Sequence, residues 1–286
     1  MRLPPDFQFS QSSLQDLADC ARRFQLRHVE RLAWPAPGAE PAAVWERRAQ
    51  AGDRFHRLVQ QALLGLPVER AAAVDEQLRD WWERFCATAP AFWGGGARPA
   101  PGRFWCEVEL GRPLGAFRLG ARYDLVVWGP DGRLVIVDWK TAGRKPPRST
   151  LAARLQTRVY PWVLAAAGGE LTRGAPPAPD QIEMVYWFAE APDEPERFQY
   201  AAAQQQQDGV YLASLVKATE NLDPAADLRT TDLAHCRYCV YRARCERGGH
   251  PGPAAEAEGE PAGLETPLVP GGEGEPGAGW GDEPAG

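Results

Sequence analysis

Residues 122–140 read RYDLVVWGPDGRLVIVDWK. Two apolar runs flank the turn Gly129-Pro130-Asp131-Gly132, which is the pattern of a β-hairpin. In the first run Leu119, Ala121, Tyr123, Leu125 and Val127 recur at period two. In the second, Val135, Ile136 and Val137 are consecutive, as expected of a strand covered on both faces. Asp138 and Lys140 stand two apart, so on a strand both project from one face. Asp124, on the preceding strand, lies across from Asp138 if the register allows. Two carboxylates can hold a hard divalent cation, with water and phosphate completing its shell. A lysine beside them can orient or help deprotonate a water. The alternative is that both aspartates are solvated strand ends and that Lys140 tops an edge strand.

Working outward, the segment Ser12-Ser13-Leu14-Gln15 has capping-box spacing, with Ser12 and Gln15 in the two roles. One or two helices follow to Arg31, with Cys20 and Phe24 on one face, and Pro35 to Pro41 is a loop. Residues 43–65 predict a helix whose Phe55, Val59 and Leu63 share a face, with Gly52 and His56 on a neighbouring one. A further helix over 71–87 uses Val74, Leu78, Trp82 and Phe85. Residues 89–102 are a loop. From 103 the period changes to two, with Phe104, Cys106, Val108 and Leu110 alternating against Trp105, Glu107 and Glu109. Residues 150–167 predict a helix that Pro161 kinks or weakens. Strands at 181–189 and 196–201, a helix at 203–220 and a cysteine-rich segment at 235–245 follow. This order predicts a central mixed β-sheet flanked by helices, an α/β (α+β) domain.

The formal net charge of −6 is uneven. Residues 246–286 hold nine acidic side chains and one arginine, a charge of −8, which leaves the preceding body at +2. A weakly basic body with an acidic tail suits a nucleic-acid partner better than the overall charge suggests. Residues 250–286 are mostly Pro, Gly, Ala and Glu, too poor in apolar side chains to offset their ordering entropy. The reading is one folded domain over 1–249 and a disordered tail over 250–286. No apolar run approaches the roughly 18 residues that span a membrane. The opening MRLPPDFQFSQSS lacks the apolar stretch of a secretory signal. A cytoplasmic location follows, where cysteines more often serve metals than disulfides. Arginine outnumbers lysine 29 to 3, which makes generic basic patches weak signals and Lys140 a telling one.

Other residues extend the candidate site. His56 is a third possible ligand, and imidazole suits Mn²⁺ better than Mg²⁺. Gln156 and Tyr160 stand at i and i+4 on one predicted helix, placed to hold phosphate or the lysine. The bland alternative is an exposed polar stripe. Arg144, Lys145, Arg148, Arg154 and Arg158 form a run without acidic residues, able to neutralise a nucleic-acid backbone. Trp139, Trp162, Tyr238 and Tyr241 are candidates for base stacking or for core. Cys236-x₂-Cys239-x₅-Cys245 is a tight cluster, and Cys20 can supply a fourth thiolate for an iron–sulfur cluster or a structural zinc. Cys86 and Cys106 read as buried small apolar residues.

Together these pieces resemble the PD-(D/E)XK nuclease superfamily, and within it the RecB-like branch with an iron–sulfur staple, as in AddB and the CRISPR-associated single-domain nucleases. The matching residues are Gly52-x₃-His56, Tyr123-Asp124, Val137-Asp138-Trp139-Lys140-Thr141, Gln156-x₃-Tyr160, and one cysteine before the core with three after it. Ala21 stands where a proline often follows the first cysteine, and Pro161 departs from the pattern after Tyr160. The resemblance covers roughly residues 8–247. It implies a restriction-endonuclease-like core with Asp124, Asp138 and Lys140 as catalytic residues, Gln156 and Tyr160 as accessory ones, and His56, Asp124 and Asp138 as ligands of Mg²⁺ or Mn²⁺. It also implies that Cys20, Cys236, Cys239 and Cys245 hold a 4Fe–4S cluster pinning the chain ends together. Glu107 or Glu109 is placed to assist, and the sequence does not choose between them. The implied activity is cleavage of DNA ends or single strands by an exonuclease in repair or recombination. Alternatives are a nuclease for CRISPR spacer acquisition, a non-catalytic DNA-end scaffold, and a zinc-stapled RNA-processing enzyme. No Gly-x₄-Gly-Lys-[Ser/Thr] phosphate loop occurs, so helicase activity is expected from a partner on another chain.

Overall fold

The computed structural model describes residues 3–32, 40–141, 144–172 and 174–248. The expected tail at 250–286 and most of the expected loop at 35–41 lie outside them. A short strand β1 (Gln8–Phe9) leads into helices α1 (Gln11–Asp19) and α2 (Ala21–Phe24), which continues as a wider π-helical turn over Gln25–Val29. Helices α3 (Glu40–Leu63), α4 (Glu69–Ala72) and α5 (Glu76–Thr88) precede strands β2 (Phe104–Leu114), β3 (Phe117–Trp128) and β4 (Leu134–Lys140). Then come α6 (Arg148–Ala153), α7 (Leu155–Ala167), α8 (Gly169–Thr172), β5 (Ile182–Phe188), β6 (Glu196–Gln199) and α9 (Ala202–Glu220).

The sheet is mixed. β2, β3 and β4 form an antiparallel meander, β5 joins β4 in parallel through the α6–α7 crossover, and β6 pairs antiparallel with β5. β3 carries β2 along one edge, while its other edge is shared by β1 at residues 118–119 and β4 at 125–128. Its neighbour therefore changes just where Asp124 stands. The apolar run of β4 is continuous because both faces are covered. Leu134 and Ile136 pack in one core with Leu14, Val159, Val163 and Leu212 from α1, α7 and α9. Val137 and Trp139 pack in the other, with Phe55, Val59, Trp81 and Phe85 from α3 and α5.

Several local expectations are corrected. The α1 capping box uses Ser10 and Ser13, not Ser12 and Gln15. Gln15 instead accepts from the Leu155 backbone N–H at 3.0 Å, satisfying a free donor at the start of α7. Cys20 breaks the first helix with an extended backbone, so it shares no helical face with Phe24. Val74 lies in the turn before α5, 82% exposed, and Trp81 rather than Trp82 fills the core. The 150–167 helix is interrupted at Arg154, which is extended (ψ 140°), while Pro161 sits inside α7. Cys86 is exposed, and Cys106 is half-buried against the second core.

Asp16 holds the amino-terminal helices together. Its carboxylate is completely buried and accepts from Arg23 Nε at 2.6 Å, with Arg27 Nη1 and His28 Nε2 each 2.9 Å away. Burial pushes this carboxyl up, but His28, Arg23 and Arg27 outweigh it and hold it below the usual range. A carboxyl depressed in the folded state stabilises above its unfolded value and loses that contribution as pH falls through the folded one. Asp16→Asn removes the buried charge that faces buried Arg23 and half-buried Arg27 and is expected to cost about 3 kcal/mol in urea unfolding at neutral pH. The gap from wild type should shrink in acid, and equal midpoints at pH 7 would refute this role.

Candidate active site

The meander and two helices bring charged side chains to one place: Glu107 from β2, Asp124 from β3, Asp138 and Lys140 from β4, His56 from α3 and Gln156 from α7. Asp124 is central. The pairs Cys106↔Leu125 and Val108↔Tyr123 put Glu107 opposite Asp124 on β2. On the other side the ladder ends at Leu125↔Val137, and one step further Asp124 faces Asp138. There the Trp139 N–H donates to Asp124 Oδ2 at 2.9 Å, a side chain replacing the next ladder bond.

Strand alternation fails at this row. Leu119, Ala121 and Tyr123 belong to the first core, yet Leu125 and Val127 belong to the second. On β2, Leu110 and Val108 pack with the first core, whereas Cys106 and Phe104 pack with the second. Both strands change face at Glu107 and Asp124, and Glu107 takes a left-handed backbone (φ 51°) to do so. Such a residue costs on the order of 1–3 kcal/mol and persists only where its surroundings impose it.

The switch gathers ligand-type atoms. His56 Nδ1 lies 3.2 Å from Asp124 Oδ1 and 3.9 Å from Glu107 Oε1. One donor atom from each of the three lies within 4.8 Å of the others, close enough to share an ion. Burial would push the Asp124 carboxyl up, but His56, Lys140 and the Trp139 amide outweigh it and hold it below its ordinary value. Glu107 lacks that compensation: burial and the neighbouring Asp124 push it up to about 7, despite His56 and Arg122.

Asp138 stands outside that trio. Its Oδ1 accepts from Gln156 Nε2 at 2.6 Å, and its Oδ2 lies 3.0 Å from Lys140 Nζ. Asp138, Lys140 and Gln156 are all buried, so Gln156 is no part of an exposed polar stripe. Tyr160 is buried with its ring centroid 5.0 Å from that of Tyr123, whose hydroxyl donates to the Tyr160 carbonyl at 3.0 Å. Glu109 is exposed, so the structure places Glu107 and not Glu109 beside the site. A sequence signal for Glu107 exists: a two-residue hairpin turn at Gly115-Ala116 sets Leu114 against Phe117, and counting back from it puts Glu107 across from Asp124.

The basic run is largely spent on ion pairs. Lys145 lies 2.9 Å from Glu196 and 3.3 Å from Glu194, Arg148 lies 2.8 Å from Glu196, and Arg158 lies 3.2 Å from Asp208. Trp139, Trp162 and Tyr241 are buried. Tyr238 is half-buried, with the Arg237 guanidinium over its ring. Cys20, Cys236, Cys239 and Cys245 line one cavity together with Arg23, Arg242 and other residues. Tyr241 donates to the Leu32 carbonyl at 2.9 Å and the Arg22 N–H to that of Leu228, tying the carboxy-terminal segment to the first helices.

Gly52, one turn before His56, lets α3 approach the end of β4. A Cβ there would stand 2.9 Å from Thr141 Oγ1. Gly52→Ala should therefore push α3 away and lower stability by about 1–3 kcal/mol in urea unfolding. An unchanged midpoint would show that the approach has slack.

The chain matches the PD-(D/E)XK nuclease superfamily over residues 8–246. No curated protein matches it. Among solved structures it is similar to SSO0001, with 14% identity, a TM-score of 0.46, and coverage of 85% of this chain and 88% of that one. It is likewise similar to a candidate exonuclease from Eubacterium rectale, with 9% identity, a TM-score of 0.46, and coverage of 87% and 89%. The family match spans most of the described residues, including His56, Asp124, Asp138 and Lys140, and the chain belongs to the PD-(D/E)XK nuclease superfamily.

Proposed function

We propose that this nuclease is a Mg²⁺- or Mn²⁺-dependent deoxyribonuclease of the RecB-like branch, an exonuclease acting on DNA ends or single strands in cytoplasmic repair or recombination. The observation that carries this reading is the meeting of Asp124, inside β3, with Asp138 and Lys140 at the end of β4 and with His56, 3.2 Å from Asp124. No helix among the described residues is long and apolar enough to cross a membrane. A non-catalytic scaffold would not need Gln156 and Lys140 both fixed on the Asp138 carboxylate.

Carboxylate oxygens and one neutral imidazole are a donor set that suits either metal. His56, Asp124 and Asp138 are assigned to hold the cation, which when bound supplies Lewis-acid stabilisation of the charge developing on the phosphate. Lys140 Nζ, kept in place by Asp138, orients the attacking water through a hydrogen bond. Gln156 fixes the Asp138 carboxylate, and Tyr160 secures α7 against β3 so that Gln156 stays in register.

The four cysteines are assigned to a 4Fe–4S cluster, which when bound joins the two ends of the folded chain. Support comes from their shared cavity, where Arg247 Nη1 also lies 3.6 Å from Cys236 Sγ.

Cleavage of end-labelled single- and double-stranded DNA with Mg²⁺ or Mn²⁺, stopped by EDTA, is the direct test. Lys140→Ala and Asp138→Ala should each lower the rate by about a hundredfold or more while leaving the fold intact. His56→Ala should be milder, because water replaces a neutral ligand more readily than a charged one. A folded Asp138→Ala or Lys140→Ala protein that cuts at the wild-type rate would sink the assignment. For the cysteines, iron and sulfide analysis with a broad visible absorption lost in Cys239→Ser is expected. Stoichiometric zinc without iron would overturn the cluster.

A further inference from the structure

We infer that Glu107 is a direct ligand of the catalytic cation, held in reach of it by the change of face in β2 and β3. The inference rests on the metal-dependent reading above and adds to its ligand set a carboxylate from a third strand.

The geometry is specific to Glu107. Glu107 Oε1 lies 3.9 Å from His56 Nδ1, and His56, Glu107 and Asp124 form the one group of ligand-type side chains, among the described residues, compact enough for a single ion. Asp138 is outside that group and is engaged by Gln156 and Lys140. With Asp138 kept in the set, the cation would have three carboxylates and an imidazole as its protein ligands, and Lys140 would stand beside them, 3.0 Å from Asp138.

The backbone carries the argument further. With unbroken alternation through β2, Glu107 would sit on the face opposite Cys106 and Val108, and those two would share a core. Instead they pack in different cores, and Glu107 takes the left-handed conformation between them. Asp124, its cross-strand partner, stands at the matching switch on β3. A side chain that merely filled space would not need a strained backbone in the middle of a ladder. A carboxylate that must reach the same ion as its cross-strand neighbour does.

Two variants separate a ligand from a structural residue. Glu107→Gln keeps the shape and removes the charge. Glu107→Gly removes the carboxylate and also relieves the left-handed backbone, so the fold should gain stability while the ligand is lost. Mn²⁺ binding to the full-length chain, followed by calorimetry and by the electron paramagnetic resonance signal of free Mn²⁺, is expected to weaken about tenfold or more in both variants. Glu109→Gln should bind as wild type, and the Mn²⁺ concentration for half-maximal cleavage should rise in step with the loss of affinity. Wild-type Mn²⁺ affinity in both Glu107 variants, in a chain that still cleaves DNA, overturns this ligand and leaves the nuclease reading standing. A wild-type chain that neither binds Mn²⁺ nor cleaves DNA overturns both.

Discussion

A carboxylate loses several kcal/mol of hydration when it leaves water, and it stays ionised in a protein only where fixed partners replace that water. Asp124 is in this position. It lies between two cores, at the row where β3 exchanges β1 for β4 along one edge. His56, the Trp139 N–H and the charge of Lys140 supply the replacement, and their combined effect leaves the carboxyl more acidic than in water. The partners come from two separate parts of the chain, α3 and the end of β4. The need to compensate one buried charge therefore ties α3 and the end of β4 to the middle of β3.

The supporting layers follow from that placement. α3 can bring His56 close because Gly52 offers no side chain to Thr141 at the end of β4. α7 reaches Asp138 through Gln156, and its own start is completed by Gln15 from α1. α1 in turn is locked by Asp16 to Arg23, Arg27 and His28, and Arg23 also borders the cysteine cavity. A continuous set of polar contacts thus connects the amino-terminal helices, and the cavity between the chain ends, to the carboxylate beside Lys140.

The hairpin and the order of the main elements were legible in the sequence because each depends on local periodicity, whereas Asp124, Asp138, Lys140 and His56 were singled out by motif resemblance, and the fold brings them near one another. The uninterrupted apolar run of β4 correctly implied cover on both faces. What escaped depends on partners distant in the chain. Gln15 looked like a cap for its own helix and serves another, because a free N–H of α7 lies within its reach. The arginines after Thr141 looked available for a phosphate backbone, but Glu194, Glu196 and Asp208, some 50 residues on, take three of the run's charges. Period-two alternation through Glu107 was the natural reading of β2, and only the opposing strand shows where it breaks.

Lys140 fits this picture for a reason that its rarity hints at. The chain uses arginine for 29 of its 32 cationic side chains, including those on Asp16, Glu183 and Asp208. Arginine suits such places because its planar fork makes several hydrogen bonds at once and keeps its charge. The position beside Asp138 asks for the opposite properties. The group there is buried, contacts one carboxylate oxygen at 3.0 Å, and must still present a donor toward an incoming phosphate or water. A guanidinium would extend across the neighbouring carboxylates and tie them together, closing the space that a cation needs. An ammonium is compact, can rotate its three donors together about the Cε–Nζ bond, and can change protonation state when its surroundings change. In a chain this rich in arginine, a lysine at that point marks where the chemistry requires a point charge and not a clamp.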